Sequence, residues 1–123
     1  MGLGIDIVDV KRIAQKIGKG AGFRELVFTP VEIAYCDSKK NKYEHYAARF
    51  AAKEAFFKAI GTGWRNGTAF NEIEITNDAN GKPLISFLGA TAIAVEELKP
   101  GKISVSLSHI KTMATAVVII ETR

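Results

Sequence analysis

The sequence predicts an α+β fold with a largely antiparallel sheet, and three observations support this prediction. Apolar residues alternate as in a strand at the start of the chain and again over its second half. Between these two parts, apolar residues recur at the spacing of an α-helix. Short turn segments, at 80–81 and at 110–112, separate consecutive strand segments, as in antiparallel neighbours. The resulting order is β-α-α-α-β-β-α-β-β over a single domain, residues 1–123.

The composition predicts a cytoplasmic globular protein. The chain has 123 residues, of which 47% are hydrophobic and 24% charged, enough for one domain with a core of its own. No apolar run approaches the roughly 20 residues that span a bilayer, and the N-terminus lacks a signal-peptide pattern. Cys36 is the single cysteine, which excludes an internal disulfide. A net charge of +4 favours an anionic partner, such as a phosphorylated ligand, a nucleic acid or an acidic protein.

The first predicted strand, "LGIDIVDV", has two different faces. Leu3, Ile5 and Ile7 share one face, while Asp6 lies on the other with Gly4 and Val8.

Capping residues predict where the first two helices begin. Asp9 is a good N-cap for a helix over residues 10–17, which Gly18 ends. Thr29, Pro30 and Glu32 form the start signal of a second helix, with Glu32 placed to complete a capping box.

The remaining elements follow in order along the chain. A long helix runs from about Glu44 to Ile60 and is closed by "GTG". The segments "NEIEITN" and "PLISFLG" form a hairpin around Asn80-Gly81. A short helix over "ATAIAVEEL" precedes Pro100-Gly101, and "KISVSLSHIKTMATAVVIIE" contains two further strands.

Two carboxylates lie where the pattern predicts apolar surroundings. In "RFAAKEAFFKAIGTG", residues 49–63, Glu54 falls between Phe50 and Phe57 on the helical wheel. Asp6 lies in the middle of a strand, where aspartate is disfavoured. Since burying an unpaired carboxylate costs several kcal/mol, each of these residues needs a positive partner.

The residues alone leave two interpretations of this pair open. A Mg²⁺ ion suits two carboxylates, because it completes its coordination shell with water and substrate phosphates. In the structural interpretation, Asp6 caps neighbouring backbone and Glu54 pairs with Lys58 one helical turn later. Lys58 is placed to reach a phosphate on the same ion, or it is an exposed helix charge like Arg49 and Lys53.

His109 ends a predicted strand on its apolar side. A histidine there is commonly a satisfied edge residue, whereas beside a phosphate or a hydroxyl it would serve as a proton carrier.

Four segments together resemble a known family. "GIDIVDVKRI", "RFAAKEAFFKAIGTG", "FNEIEITNDANGKP" and "SLSHIKTMATAVVIIE" are similar, in order and spacing, to the holo-[acyl-carrier-protein] synthases, the short bacterial 4'-phosphopantetheinyl transferases. The resemblance implies that family's fold, a sheet packed against a long central helix, once per chain. It implies Mg²⁺-dependent transfer of 4'-phosphopantetheine from coenzyme A to a serine of apo-acyl carrier protein in fatty-acid biosynthesis. The other product is adenosine 3',5'-bisphosphate.

The resemblance also assigns roles to residues. Asp6 and Glu54 match the positions that hold Mg²⁺ (with Mn²⁺ as the alternative) against the coenzyme A pyrophosphate. Glu54 is the first choice for the group that accepts the serine proton, with Asp6 and His109 left open. The positions matching contacts to coenzyme A are Arg49, Lys58, Gly61, Thr62, Gly63 and His109.

The implied partners are an acidic carrier protein and further copies of this chain. Arg12 matches the family's docking arginine, and Lys11, Lys16 and Arg24 extend its basic surface, unless these charges form a plain solvated face. Larger relatives carry two copies of the fold with the active site between them. The short family has a single copy and forms a homotrimer with interfacial sites, and the resemblance implies the same assembly here.

Other functions remain as alternatives: transfer to a polyketide or peptide-synthesis carrier, or a non-catalytic basic module that binds an acidic protein. We expect no membrane partner and no nucleic acid, since the basic residues are not interleaved with exposed aromatic residues. Phe57 and Ile110 differ from the residues common in the family at these positions. We expect these two differences to affect cofactor affinity or the choice of carrier protein, and not the reaction itself.

Overall fold

The computed structural model describes residues 1–61 and 68–123. The elements are β1 (Gly2–Asp9), α1 (Val10–Gly18), α2 (Phe23–Val27), α3 (Pro30–Asp37), α4 (Lys42–Ile60), a 3-10 turn (Phe70–Glu72), β2 (Ile73–Asn77), β3 (Pro83–Phe87), α5 (Gly89–Glu97), β4 (Pro100–His109) and β5 (Met113–Thr122). The predicted order is confirmed, with two additions. The helix α2 and the 3-10 turn were missed because segments of three to five residues are too short to show a period.

The strands form two antiparallel sheets. One has the order β1-β5-β4, and the other is the hairpin of β2 and β3. The predicted α+β class with a largely antiparallel sheet is therefore confirmed. In the larger sheet Asp6 pairs with Ala116, and the Thr115 hydroxyl donates to the carbonyl oxygen of Asp6 at 2.8 Å. The residue that sequence places in mid-strand is thus fixed by two neighbouring positions of β5.

The long helix α4 crosses the inner face of β1 at close range. A Cβ at Gly4 would overlap the carbonyl oxygen of Ala55, so glycine is what allows this approach. Small residues continue along the buried side of α4. Because α4 lies this close, side chains from its last turns reach the strand at Asp6.

The predicted capping residues lie at the ends of the helices α1, α3 and α4. The Asp9 carboxylate accepts from the backbone N–H of Arg12 at the start of α1, and α1 ends at Gly18. Thr29 and Glu32 form the complete capping box of α3. Gly61 ends α4 with φ of 79°, in the left-handed region that favours glycine.

The hairpin turn at Asn80-Gly81 is confirmed, with one extra contribution. Gly81 has the positive φ, 84°, while the Asp78 carboxylate accepts from the backbone N–H groups of Asn80 and Lys82. The turn is therefore organised by an aspartate side chain as well as by glycine.

A buried ion pair joins α4 to α3, and it overturns the interpretation of Lys53 as an exposed charge. Lys53 Nζ lies 2.6 Å from Glu32 Oε1, and both side chains are fully buried. The ammonium also donates to the carbonyl oxygens of Val27 and Phe70, while Glu32 accepts from the backbone of Ile75. Every donor of Lys53 is satisfied, which is what makes its burial tolerable.

The two departures from the family pattern lie in different environments. Phe57 is buried and packs edge-on against the rings of Phe56 and Phe70. Ile110 is 64% exposed.

None of the helices in residues 1–61 and 68–123 combines the length and apolar character that a bilayer crossing requires.

Candidate active site

Asp6 on β1 and Glu54 on α4 line the same cavity, of about 300 Å³. Burial first, and then the negative charge of Asp6, raise the pKa of Glu54 above its ordinary value. Lys58 and Lys16 oppose this shift. The two carboxylates therefore share one cavity and repel each other, which favours a cation between them.

Lys58 pairs with Asp6 and not with Glu54. Its Nζ lies 2.8 Å from Asp6 Oδ1 and also donates to the carbonyl oxygen of Ile5 at 3.2 Å. Hydrogen bonding and the charge of Asp6 raise the pKa of Lys58. Within residues 1–61 and 68–123, Glu54 has no hydrogen-bond or ion-pair partner. The structural interpretation in which Glu54 pairs with Lys58 is therefore wrong.

The residues of this cavity fit a Mg²⁺ ion. Two carboxylates from different elements meet in a space large enough for water and phosphate oxygens. In the part of the chain that the structure describes, no cluster of three or more His, Cys, Asp or Glu side chains is placed to hold a metal. Oxygen donors of this kind would suit a magnesium ion that takes its remaining ligands from water and substrate.

A second cavity, of about 240 Å³, shares no described lining residue with the first. We call them the carboxylate cavity (with Asp6 and Glu54) and the arginine cavity (with Arg49 and His109). The arginine cavity is also lined by Tyr35, His45 and Asn77. Sequence reasoning missed these three residues, which come from α3, the start of α4 and the end of β2.

Arg49 is the charged centre of the arginine cavity. It is only 2% exposed, its guanidinium lies 4.2 Å from the centre of the Tyr35 ring, and Nη2 donates to Asn77 Oδ1 at 2.9 Å. Among the described residues, its Nε is a buried donor without a partner. A buried arginine with donor capacity to spare is suited to an anion.

His109 lies beside Arg49 in the same cavity. Its Nδ1 is 2.9 Å from Glu44 Oε1, and its ring packs edge-on against His45 with centroids 5.0 Å apart. The hydrogen bond to His109 lowers the pKa of Glu44. Burial, followed by the charge of His109, lowers the pKa of His45.

The structure therefore divides the predicted site residues between two cavities. Asp6, Glu54 and Lys58 gather at the first, while Arg49 and His109 lie at the second. Gly61 ends α4, and Thr62 and Gly63 lie outside the described residues.

The basic residues predicted for docking are not equivalent. Lys11 and Arg12 are exposed on α1, and Arg12 and Lys16 line the edge of the carboxylate cavity. Arg24 is paired with Glu25 at 2.8 Å and with Asp37 at 3.4 Å. The charge of Arg24 is already compensated locally, whereas Lys11, Arg12 and Lys16 form no ion pair with a described acidic residue.

Comparison with known proteins identifies the family of the chain. The sequence model of the 4'-phosphopantetheinyl transferase superfamily matches residues 2–117. The holo-[acyl-carrier-protein] synthase of Cytophaga hutchinsonii is 51% identical over 121 residues, covering 96% of this chain and 94% of that protein. The synthase of Solibacter usitatus is 44% identical, with 98% of each covered.

Solved structures of such synthases share the fold. The structure from Neisseria meningitidis superposes with a TM-score of 0.90 at 38% identity, covering 98% of both chains. The Helicobacter pylori synthase in complex with coenzyme A gives a TM-score of 0.84 at 31% identity, covering 97% of this chain and 99% of that one. The fold and the matched sequence define a transferase of the 4'-phosphopantetheinyl transferase superfamily. Within that superfamily, the chain belongs to the family of holo-[acyl-carrier-protein] synthases.

Proposed function

We propose that this chain, as one domain over residues 1–123, transfers the 4'-phosphopantetheine group of coenzyme A to a serine of apo-acyl carrier protein. The products are holo-acyl carrier protein and adenosine 3',5'-bisphosphate. The observation that carries the proposal is the pair of carboxylates, Asp6 and Glu54, that share one cavity on a chain of this family.

The carboxylate cavity supports a role in binding the pyrophosphate of coenzyme A with Mg²⁺. Asp6 and Glu54 would hold the ion, and the ion would supply charge neutralisation of the pyrophosphate and polarisation of its phosphorus. Lys58 is within reach of the same oxygens, because it already lies 2.8 Å from Asp6. Phosphoryl transfer depends mainly on this positioning and charge compensation.

Glu54 is our candidate for the group that accepts the serine proton. Glu54 lines the carboxylate cavity, and among the described residues none hydrogen-bonds to its carboxylate. Asp6 is a poorer candidate since Lys58 already pairs with it. His109 lies in the other cavity of the same chain, paired with Glu44.

The separation of the two cavities supports an active site built from two protomers. In this arrangement one protomer supplies Asp6, Glu54 and Lys58, and its neighbour supplies Arg49 and His109 to another phosphate of coenzyme A. The outer face of β1 supports such an association, because Leu3, Ile5 and Ile7 are 65%, 63% and 66% exposed on it. A homotrimer would cover this face and create three such sites.

The deciding experiment is the mass of a purified apo-acyl carrier protein after incubation with this protein, coenzyme A and Mg²⁺. We expect a gain of one phosphopantetheine that is lost when EDTA is added. Carriers from fatty-acid, polyketide and peptide synthesis are tested in parallel. A gain only with the latter two would reassign the carrier. Absence of a gain with every carrier would contradict the proposal and favour a basic module that binds without catalysis.

A further inference from the structure

Lys58 forms an ion pair with Asp6, one of the carboxylates that line the carboxylate cavity. Its ammonium bonds to Asp6 Oδ1 at 2.8 Å and to the carbonyl oxygen of Ile5 at 3.2 Å. The Asp6 side chain is 15% exposed, whereas that of Lys58 is 54% exposed. An exposed cation therefore covers the less exposed acid.

This contact conflicts with a second cation at the same oxygen. A divalent ion bound to Asp6 Oδ1 would lie beside an ammonium group, and like charges at that range repel strongly. Glu54, which has no hydrogen-bond partner among the described residues, presents no such obstacle. A metal ion bound through Asp6 Oδ1 therefore requires Lys58, and not Glu54, to give up a contact.

Lys58 is built to move, in contrast to Lys53 on the same helix. Lys53 is fully buried and donates to three oxygen atoms, from Glu32, Val27 and Phe70. Lys58 is half exposed in the last turn of α4, where the helix dipole adds to the stabilisation that Asp6 gives its charge. Its flexible stem lets the ammonium leave Asp6 without any change of the backbone.

We propose that Lys58 is a displaceable counterion that couples divalent-metal binding to coenzyme A binding, an inference that rests on the proposed function. In the free protein Lys58 holds Asp6 and weakens metal binding. When a coenzyme A phosphate is present, the displaced ammonium gains a new partner, so the metal binds more tightly. Because coupling is reciprocal, the metal strengthens coenzyme A binding by the same factor.

The test measures Mn²⁺ affinity by electron paramagnetic resonance, with and without coenzyme A and without carrier protein, so that no transfer takes place. The protein is used as wild type, as Lys58→Gln and as Lys16→Gln. Lys16 is the matched control, because its charge also acts on Glu54 but it lines the cavity without bonding to Asp6. Moderate salt screens the remote charge of Lys16 more than the contact of Lys58.

Without coenzyme A, we expect Lys58→Gln to bind Mn²⁺ about two- to fivefold more tightly than wild type, and Lys16→Gln to stay closer to wild type. Coenzyme A should raise Mn²⁺ affinity in wild type, and this increase should shrink in Lys58→Gln by at least the same factor. Equal effects of both substitutions, or an unchanged increase in Lys58→Gln, would overturn the coupling role. Absence of Mn²⁺ binding in every protein, with coenzyme A present, would instead overturn the proposed metal site itself.

Discussion

Lys53, Glu54 and Lys58 lie within little more than one turn of α4, yet they face three different environments. Lys53 is buried against Glu32, Glu54 looks into the carboxylate cavity, and Lys58 reaches from the surface to Asp6. The difference arises from the helical period, which turns adjacent residues by about 100°. Each residue therefore has its own expected response to substitution.

Glu54→Gln tests the acid on which the proposed reaction depends. Glutamine keeps the shape of the side chain but removes its charge and basicity. We expect transfer to fall by about 100-fold or more, with the fold intact by circular dichroism. Glu97→Gln, an exposed acid on α5, is the matched control and should keep normal turnover. Near-normal turnover of Glu54→Gln would remove this residue from both metal binding and proton acceptance.

His45, in the arginine cavity, makes the stability of the folded protein depend on pH. Its pKa is lowered by burial and then by the charges of His109, Arg49 and Lys39, against the opposing charge of Glu44. The ordinary pKa of a histidine is 6.5, so just below this pH the unfolded chain binds more protons at His45 than the folded chain does. Stability contributed by neutral His45 is therefore present above this pH and lost as the pH falls towards the lowered pKa.

The measurement is the melting temperature of wild type and of His45→Phe, at about pH 7.5 and about pH 5.5. We expect wild type to lose more of its melting temperature across this range than the variant does. The pKa of Glu44 is lowered from 4.5, so its own contribution is lost only at more acid pH. Equal losses in both proteins would show that His45 is not the responsible group.

At the scale of elements, the buried pair of Lys53 and Glu32 fixes α4 against α3 and the β2 strand. Lys53→Met leaves the Glu32 carboxylate buried without its cation, and we expect a loss of about 3–5 kcal/mol in the free energy of unfolding. Urea titration measures this loss. The double variant Glu32→Gln with Lys53→Met should recover part of it, whereas Lys58→Met, at the exposed pair, should change stability far less. A small effect of Lys53→Met alone would contradict the structural role.

At the scale of the whole molecule, a site shared between protomers predicts complementation. Glu54→Gln and His109→Ala should each be inactive alone. Mixed and refolded together, they should regain part of the activity, because one kind of interface pairs an intact Glu54 with an intact His109 from the other variant. Light scattering confirms that the mixture is oligomeric. An oligomeric mixture without activity would place both residues of each site in a single protomer.

The basic surface of α1 predicts how the carrier protein docks. Arg12→Glu reverses an exposed charge, so we expect carrier association to slow by about tenfold at low salt and by less at high salt. Surface plasmon resonance with an apo-acyl carrier protein measures this, and Lys102→Glu on β4 is the control. Coenzyme A affinity should change little. Unchanged carrier binding would remove Arg12 from docking, and a loss of coenzyme A affinity would assign it to the cofactor site.

Features that depend on neighbours along the chain could be predicted from the amino-acid sequence. Local hydrogen bonding explains the helix caps at Asp9 and Thr29 and the turn around Gly81. The period of the strand explains why Asp6 lies on the inner face of β1. The family resemblance could also be found from sequence, because each of its motifs is a contiguous segment of the chain. The suspicion that Asp6 and Glu54 belong together also came from sequence, because each carboxylate lies in apolar surroundings.

Which charges form ion pairs depends on the packing of distant elements. The partner of Asp6 is Lys58, 52 residues away, and the partner of Glu32 is Lys53, 21 residues away. Neither distance along the chain carries a signal, because both pairs exist only through the packing of α4 against β1 and α3. The division of the site residues into two cavities has the same origin, since Arg49 and Glu54 leave one helix in different directions and are met by different elements.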